Sequence, residues 1–532
     1  MDQRRVIEWL SSPKAYEPEP PEVVVRQTHI SVVFLAGDLA YKIKKDVRFG
    51  FVDYGTLERR RYFCEEEVRL NRRLAEGVYL GVVPITSGPS GVRVDGDGEV
   101  VEWAVRMRRL PDEATLQSIL ERGMLGEGQV GEVGRRIAAF HARAPRNEQT
   151  AACGRFARVA RLVRDNLEAA DWQVGAMVQP RLFERLRQRF EQVLRELEPL
   201  IEERADRGVP CDGHGDLRLD HIYLFPENRP PADLRIVDCV EFDPELRFAD
   251  PVSDLAFLLM ELIARGRRDL AAACREAYLS AARDPSGRRL IPLYIAYRAV
   301  VRAKVAGLKA VAPETPEEDR QTARAKATAR WLLAAAELET PRRRPCLVLI
   351  GGLPGTGKST LARALGATAD FTVIRSDEVR KVLSGQASLP EKDQGIYSED
   401  WNDRTYNTCL DRAERILLEG GRVIVDATFR REPRRLQFLK RARDLGVPAL
   451  ALICEADSRV VRDRLNRRRG DLSEADWSVH EQAAAEWDPP GPETQRDWRR
   501  VDTSGSSDHS LALALRLLEE NQLWTRSDSA TG

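Results

Sequence analysis

Short apolar runs of strand length dominate the first hundred residues, a helical period follows, and unbroken short runs return in the last third. Val23-Val-Val25, Val32 to Leu35 and Leu39 to Lys44 read as strands, with Gly37-Asp38 turning the last two into a hairpin. On the third strand Lys42 and Lys44 share one face. Further strands are expected at 82–85 and 100–107, with a helix at 62–74 between them and the earlier strands. In that helix Phe63, Leu70 and Leu74 make one stripe, and Glu67 lies on the same stripe. Helical spacing then dominates, near 115–120, 130–143, 155–170, 180–203 and 319–339. Beyond residue 345 the apolar runs 347–350, 371–374, 422–426 and 449–454 have the length of buried parallel strands, and helical patterns separate them.

With 532 residues the chain exceeds one hydrophobic core. The Pro-bounded, charged stretch Glu339-Thr-Pro-Arg-Arg-Arg-Pro345 is the clearest break. The expected division is 1–338 (a strand lobe at about 20–110, a helical lobe at 111–338), a linker at 339–345, a second domain at 346–522 and a disordered tail at 523–532. Lys+Arg and Asp+Glu both total 84, so nothing in the global balance draws the chain to nucleic acid. Eight cysteines without a C-x-x-C pair suit reduced thiols, and no apolar run reaches 18 residues. A soluble, cytoplasmic protein without a membrane partner is expected; the oligomeric state stays open.

The densest chemistry follows the run 347–350. Gly352-Leu353-Pro354-Gly355-Thr356-Gly357-Lys358-Ser359-Thr360 is a glycine loop between a strand and a helix, the order a phosphate cradle requires. Consecutive backbone N–H groups turn toward one anion, Lys358 reaches the β- and γ-phosphates, and the Ser359 hydroxyl can ligate Mg²⁺. ATP with Mg²⁺ is the implied cofactor pair. Asp377 stands at the carboxyl end of the next strand, where a parallel sheet binds its ligands, and Arg380 shares its helical face. Asp377 is therefore placed to meet an acceptor hydroxyl, or more plainly to cap a helix. Asp426 ends another strand and can act on Mg²⁺ or position the acceptor. Arg464 and Arg468, four apart, fit a phosphate-facing lid or a solvated face. Trp477, Trp487 and Trp498 offer base stacking or, the preferred reading, helix packing.

In the first half, Lys42 and Glu67 are the strand lysine and helix glutamate that hold ATP phosphates in protein-kinase-like folds. Farther on come His214-Gly215-Asp216, His221 and the strand end Asp238-Cys-Val-Glu241. Two carboxylates on neighbouring loops suit phosphoryl transfer, one accepting a hydroxyl proton and the other holding the metal. Asp250 and Asp254 are read as capping and bracing helices.

These motifs carry two resemblances. About residues 25–310 resemble the aminoglycoside-phosphotransferase-like kinases, on His-Gly-Asp216, Asp238, the later Asp-Pro-x-x-Asp254-Leu-Ala and the lysine–glutamate pair. This implies a bilobal α+β kinase fold with Asp216 as catalytic base and Asp238 as metal ligand. His221 stands where that family has a metal-binding asparagine, and a histidine nitrogen suits the hard Mg²⁺ ion less well. Thr28 to Ser31 replaces a glycine-rich loop. About residues 345–505 resemble the small P-loop kinases grouped with polynucleotide-kinase and chloramphenicol-phosphotransferase-like enzymes. That likeness implies a three-layer α/β/α domain with Asp377 as base, Arg380 and Asp426 near the acceptor, and Arg464 and Arg468 on the transferred group. The expected whole is an α/β multidomain, ATP-dependent phosphotransferase whose acceptor is a small molecule or a nucleic-acid end, the latter not favoured. Rival readings are an ATP-binding regulator with a pseudokinase first half and a 5′-hydroxyl polynucleotide kinase.

Overall fold

The computed structural model describes residues 2–49, 52–89, 91–386, 399–467 and 477–526. The chain packs as two compact units. One comprises Met1–Arg161, Leu197–Leu262 and Arg268–Tyr294; the other comprises Leu162–Glu196, Ile263–Arg267 and Ile295–Gly532. The helical segments 162–196 and 295–338, grouped with the first half from sequence order, thus pack with the P-loop half. Trp331 anchors them: it is wholly buried, meets Phe183 edge-on, and donates through Nε1 to Gln173 Oε1 at 2.9 Å. No described helix is long and apolar enough to cross a membrane.

In the first unit an antiparallel sheet runs in the spatial order Val23–Gln27, Ser31–Ala36, Leu39–Lys44, Glu99–Arg108, Tyr79–Gly88, Gly91–Val94. Alternation sorts its faces. Ala104 joins Val32, Phe34 and Ile43 under the helix Gln3–Leu10, whereas Val105 joins Cys64 and Val68 of the helix Leu57–Asn71. That second helix starts earlier than its apolar stripe suggests, because the Thr56 side chain caps it by accepting from Arg59 N–H. Helices Glu127–Arg143 and Arg268–Ala282 pack closely on each other; a Cβ on Gly134 would lie 2.6 Å from the Cys274 carbonyl.

Arg204 lies 1% exposed between Asp250 and Asp284, with guanidinium bonds of 2.7 and 3.0 Å to the first and 2.7 Å to the second. Asp250 also caps the helix Pro251–Ala264 by accepting from Val252 N–H. Arg204→Ala would strand these carboxylates, and a loss of about 3 to 5 kcal/mol is expected in urea unfolding of the full chain.

The second unit is built on a parallel sheet ordered Thr372–Arg375, Arg422–Asp426, Cys346–Gly352, Ala449–Glu455, Trp498–Asp502. Val348, Ile350, Ile424 and Leu452 face the helices Lys358–Ala369 and Ser507–Glu520, while helices Glu399–Leu418 and Glu432–Asp444 pack on the other face. The edge strand Trp498–Asp502 escapes sequence reading because only Trp498 and Val501 of its five residues are buried. One expectation needs correction. The tail does not begin at 523, since Leu523 and Trp524 complete the core against the helix Ser507–Glu520. The buried stripe of Glu399–Leu418 is Thr405, Cys409, Ala413 and Leu417. Trp487 and Trp498 pack against Arg435, with rings 5.4 and 5.2 Å from its guanidinium, as the packing reading expects.

Candidate functional site

The carboxyl ends of the parallel strands bring together Gly352, Arg375, Asp426 and Glu455. The loop after Gly352 needs its glycines: Gly352, Gly355 and Gly357 have φ of 137°, 83° and 88°. A Cβ at Gly352 would come within 2.5 Å of the Cys454 carbonyl. Thr356 Oγ1 and Lys358 Nζ both donate to Leu353 O, at 2.8 and 2.9 Å, and His480 Nδ1 lies 2.8 Å from Pro354 O. Beside Gly355 to Thr360 opens a cavity of about 310 Å³, closed opposite by Arg464, Thr503 and Gly505. Arg464 donates to Thr503 O at 2.7 Å, and Thr503 Oγ1 donates to Thr356 O at 2.6 Å, which ties this wall to the phosphate loop. Arg468 lies outside the described residues.

Asp377 sits in the first turn of the helix Ser376–Gln386, not at its N-cap as the plainer reading had it. Arg380 is 3.7 Å from it and also donates to Asn402 Oδ1 at 2.7 Å. Asp426 is 4% exposed; burial pushes its carboxyl up, while Lys358 and the Ser359 hydroxyl pull it down. Ser359 and Asp426 therefore offer oxygen donors beside a fixed cation, which fits Mg²⁺.

In the first unit the expected clamp is assembled. Lys42 Nζ lies 2.9 Å from Glu67 Oε1 and 2.7 Å from Asp238 Oδ1. Against the cost of burial, Asp238 and Glu67 hold this ammonium well above its ordinary range. Enclosure works against the charge on Asp238 too, but Lys42 outweighs it and keeps the carboxyl far below the usual range. With 45% of that side chain open to solvent, the lysine contact decides. Glu67 gives its other oxygen to Lys44, which also pairs with Glu241; Tyr54 Oη donates to Glu241 at 2.8 Å. Asp238 takes a left-handed φ of 63°, just beyond the strand Leu234–Ile236. Ligand atoms of Asp216, His221 and Asp238 all lie within 4.8 Å of one another. The nitrogen of His221 fits Mg²⁺ poorly at this position.

The loop carrying Asp216 is braced from below. Asp254 accepts from His214 N–H at 2.7 Å and Gly215 N–H at 2.9 Å, and His141 Nε2 lies 3.1 Å away. Asp254 thus braces the Asp216 loop, not only its own helix. Burial pushes the His214 imidazole down to about 4. Its Nε2 faces the Val237 carbonyl at 3.0 Å, and its Nδ1 accepts from Asp216 N–H at 3.3 Å, so the ring joins both carboxylate loops only while neutral. Since an unfolded histidine titrates near 6.5, the fold binds fewer protons between there and about 4. Stability is full above that window and falls through it on acidification, by up to roughly 3 kcal/mol. Urea midpoints from pH 7 to 4 should show this slope, and His214→Asn should flatten it.

Thr28 to Ser31 forms a hairpin turn in which Thr28 Oγ1 accepts from Ile30 and Ser31 N–H. Sequence reasoning missed Lys44, Glu241 and Tyr54, and missed Thr503 and Gly505 opposite the phosphate loop. The shared face of Lys42 and Lys44 and the strand-end carboxylate Glu241 were the signals for the former group; the latter had none.

A family model described as phosphotransferase enzyme family matches residues 63–291, and one described as AAA domain matches residues 347–490. An uncharacterised protein of Mycobacterium tuberculosis is 34% identical over 508 residues, 94% of this chain and 96% of its own length. The chain belongs to that protein's family. Its first half is a phosphotransferase-family domain and its second a P-loop kinase-like AAA domain, as both motif resemblances implied. Among solved structures, a choline/ethanolamine kinase family protein from Mesorhizobium loti is 15% identical, covering 63% of this chain and 96% of that one, with a TM-score of 0.38. A gluconokinase from Sinorhizobium meliloti is 16% identical, covering 34% of this chain and 94% of that one, with a TM-score of 0.25.

Proposed function

We propose that both units transfer the γ-phosphoryl group of ATP to hydroxyl acceptors, each at its own site. The observation that carries the reading is Lys42 bridging Glu67 and Asp238 beside the braced Asp216 loop, since side chains from a strand, a helix and two loops distant in sequence converge there. In the first unit Lys42 holds the ATP phosphates and Asp216 takes the acceptor proton as the hydroxyl oxygen attacks phosphorus. In the second unit the backbone N–H groups of 352–360 and Lys358 hold the phosphates, Asp377 takes the proton, and Arg464 faces the transferred group. Ser359 and Asp426 would hold Mg²⁺, which when bound would neutralise charge on the phosphates.

A small-molecule acceptor is favoured over a nucleic-acid end. Among the described residues of this half, several arginines are already matched: Arg375 with Glu378 at 3.1 Å, Arg430 with Glu486 at 2.9 Å, and Arg434 with Asp403. A polyanion would find little uncompensated charge there. The test is incubation of the full chain, and of its Asp216→Asn and Lys358→Ala variants, with γ-labelled ATP and either a metabolite extract or a 5′-hydroxyl oligonucleotide. Label on small molecules is expected; label on the oligonucleotide alone would reverse the acceptor class. In the Asp216→Asn chain, adding Asp377→Asn should preserve ATP affinity and cut transfer on the order of 10²-fold, read on the acceptor so found.

A further inference from the structure

Resting on the reading of the first unit as a phosphotransfer site, we infer that its metal position takes a borderline divalent cation such as Mn²⁺ in preference to Mg²⁺, with His221 Nε2 and Asp238 Oδ2 as the protein donors. His221 Nδ1 lies 3.0 Å from the Asp216 backbone carbonyl. A carbonyl only accepts, so Nδ1 carries the proton and Nε2 of the neutral ring keeps its lone pair. A backbone carbonyl on the remote nitrogen is the outer contact that orients metal-ligating histidines.

Nε2 is 3.5 Å from Asp238 Oδ2 and makes no hydrogen bond among the described residues, in a side chain belonging to a residue only 8% exposed. The other carboxylate oxygen, Oδ1, is taken by Lys42 at 2.7 Å. A protonated ring paired with this carboxylate would close to about 2.7 to 2.9 Å. Two donors on bonds of about 2.1 Å instead stand about 3 to 4 Å apart when adjacent on one ion, which the observed spacing matches. The nearly half-open Asp238 side chain leaves the position accessible to an ion arriving with nucleotide.

An imidazole nitrogen binds Mn²⁺, Co²⁺ or Zn²⁺ more readily than Mg²⁺, which parts with its water reluctantly and seeks oxygen. At the P-loop site the donors are the oxygens of Ser359 and Asp426. One chain would then carry two phosphotransfer sites with different metal preferences.

The test uses the full chain with Lys358→Ala, which weakens nucleotide at the second site, titrated with Mn²⁺ or Mg²⁺ in the presence of ADP. Calorimetry is expected to give Mn²⁺ an advantage of about ten-fold or more, and pulsed electron paramagnetic resonance should show ¹⁴N coupling from a directly bound imidazole. His221→Asn should remove the coupling and most of that advantage, chiefly by weakening Mn²⁺. Absence of ¹⁴N coupling in the parent, which needs no variant to fold, or an unchanged Mn²⁺ advantage in His221→Asn, overturns the proposal. In those cases weaker binding of both ions in Asp238→Asn leaves the phosphotransfer reading standing. If neither ion binds the first unit with ADP and Asp238→Asn changes nothing, that reading falls together with the proposal.

Discussion

In a chain whose first site is silenced by Asp216→Asn, adding Lys358→Ala is expected to lower the remaining ATP-dependent transfer on the order of 10³-fold and to weaken ATP binding. Lys358 is the fixed cation of the 352–360 loop, held by Leu353 O at 2.9 Å where the backbone turns around Gly355 and Gly357. Charge gathers on the β- and γ-phosphates during transfer, and a preorganised cation in a site shielded from water acts on that charge without reorganising. Alanine also strips Asp426 of its strongest opposing charge, so the buried carboxylate is less able to stay ionised beside Ser359. Steady-state transfer to the identified acceptor, together with ATP titration, checks both effects. Undiminished transfer in the double variant would remove the P-loop as a turnover centre.

The converse chain, with Lys358→Ala throughout and Asp216→Asn added, is expected to lose first-unit transfer on the order of 10³-fold while binding ATP as before. Asparagine keeps the shape of the side chain but cannot accept the acceptor's proton. The loop itself should survive, because its anchors are elsewhere: Asp254 holds His214 and Gly215 N–H, and His221 Nδ1 bonds the Asp216 carbonyl, not its carboxylate. Arg218, at 3.8 Å from the carboxylate, loses only a weak attraction. Nucleotide affinity rests on Lys42, Glu67 and Asp238, which the substitution does not touch. Loss of ATP binding along with transfer would recast Asp216 as structural, and normal transfer would remove Asp216 from the mechanism.

Features legible along the chain are those whose physics is local. A strand, a loop of obligatory glycines and a helix N-terminus lie in one continuous stretch, so Gly352 to Thr360 needs no tertiary information to be read as a phosphate cradle. The alternation that puts Lys42 and Lys44 on one face, and the helical spacing that puts Glu67 on a buried stripe, are equally local. Hence the clamp was readable even though its members come from different elements.

What each charge does once buried was decided only in three dimensions. Lys44 looked like a second copy of Lys42, yet it is fully enclosed and neutralised by Glu67 and by Glu241, far along the chain. No spacing rule links such a pair; it exists because a buried ammonium must find a carboxylate wherever packing supplies one. Asp254 shows the same logic, leaving its own helix start to hold the backbone of the Asp216 loop. Thr503 and Gly505 complete the cavity wall because a mostly polar edge strand delivers them beside the phosphate loop. The helices of 162–196 and 295–338 join the P-loop half because Trp331, Phe183 and Gln173 bury one another there. Periodicity says that a face must be covered; only the packed chain says by what.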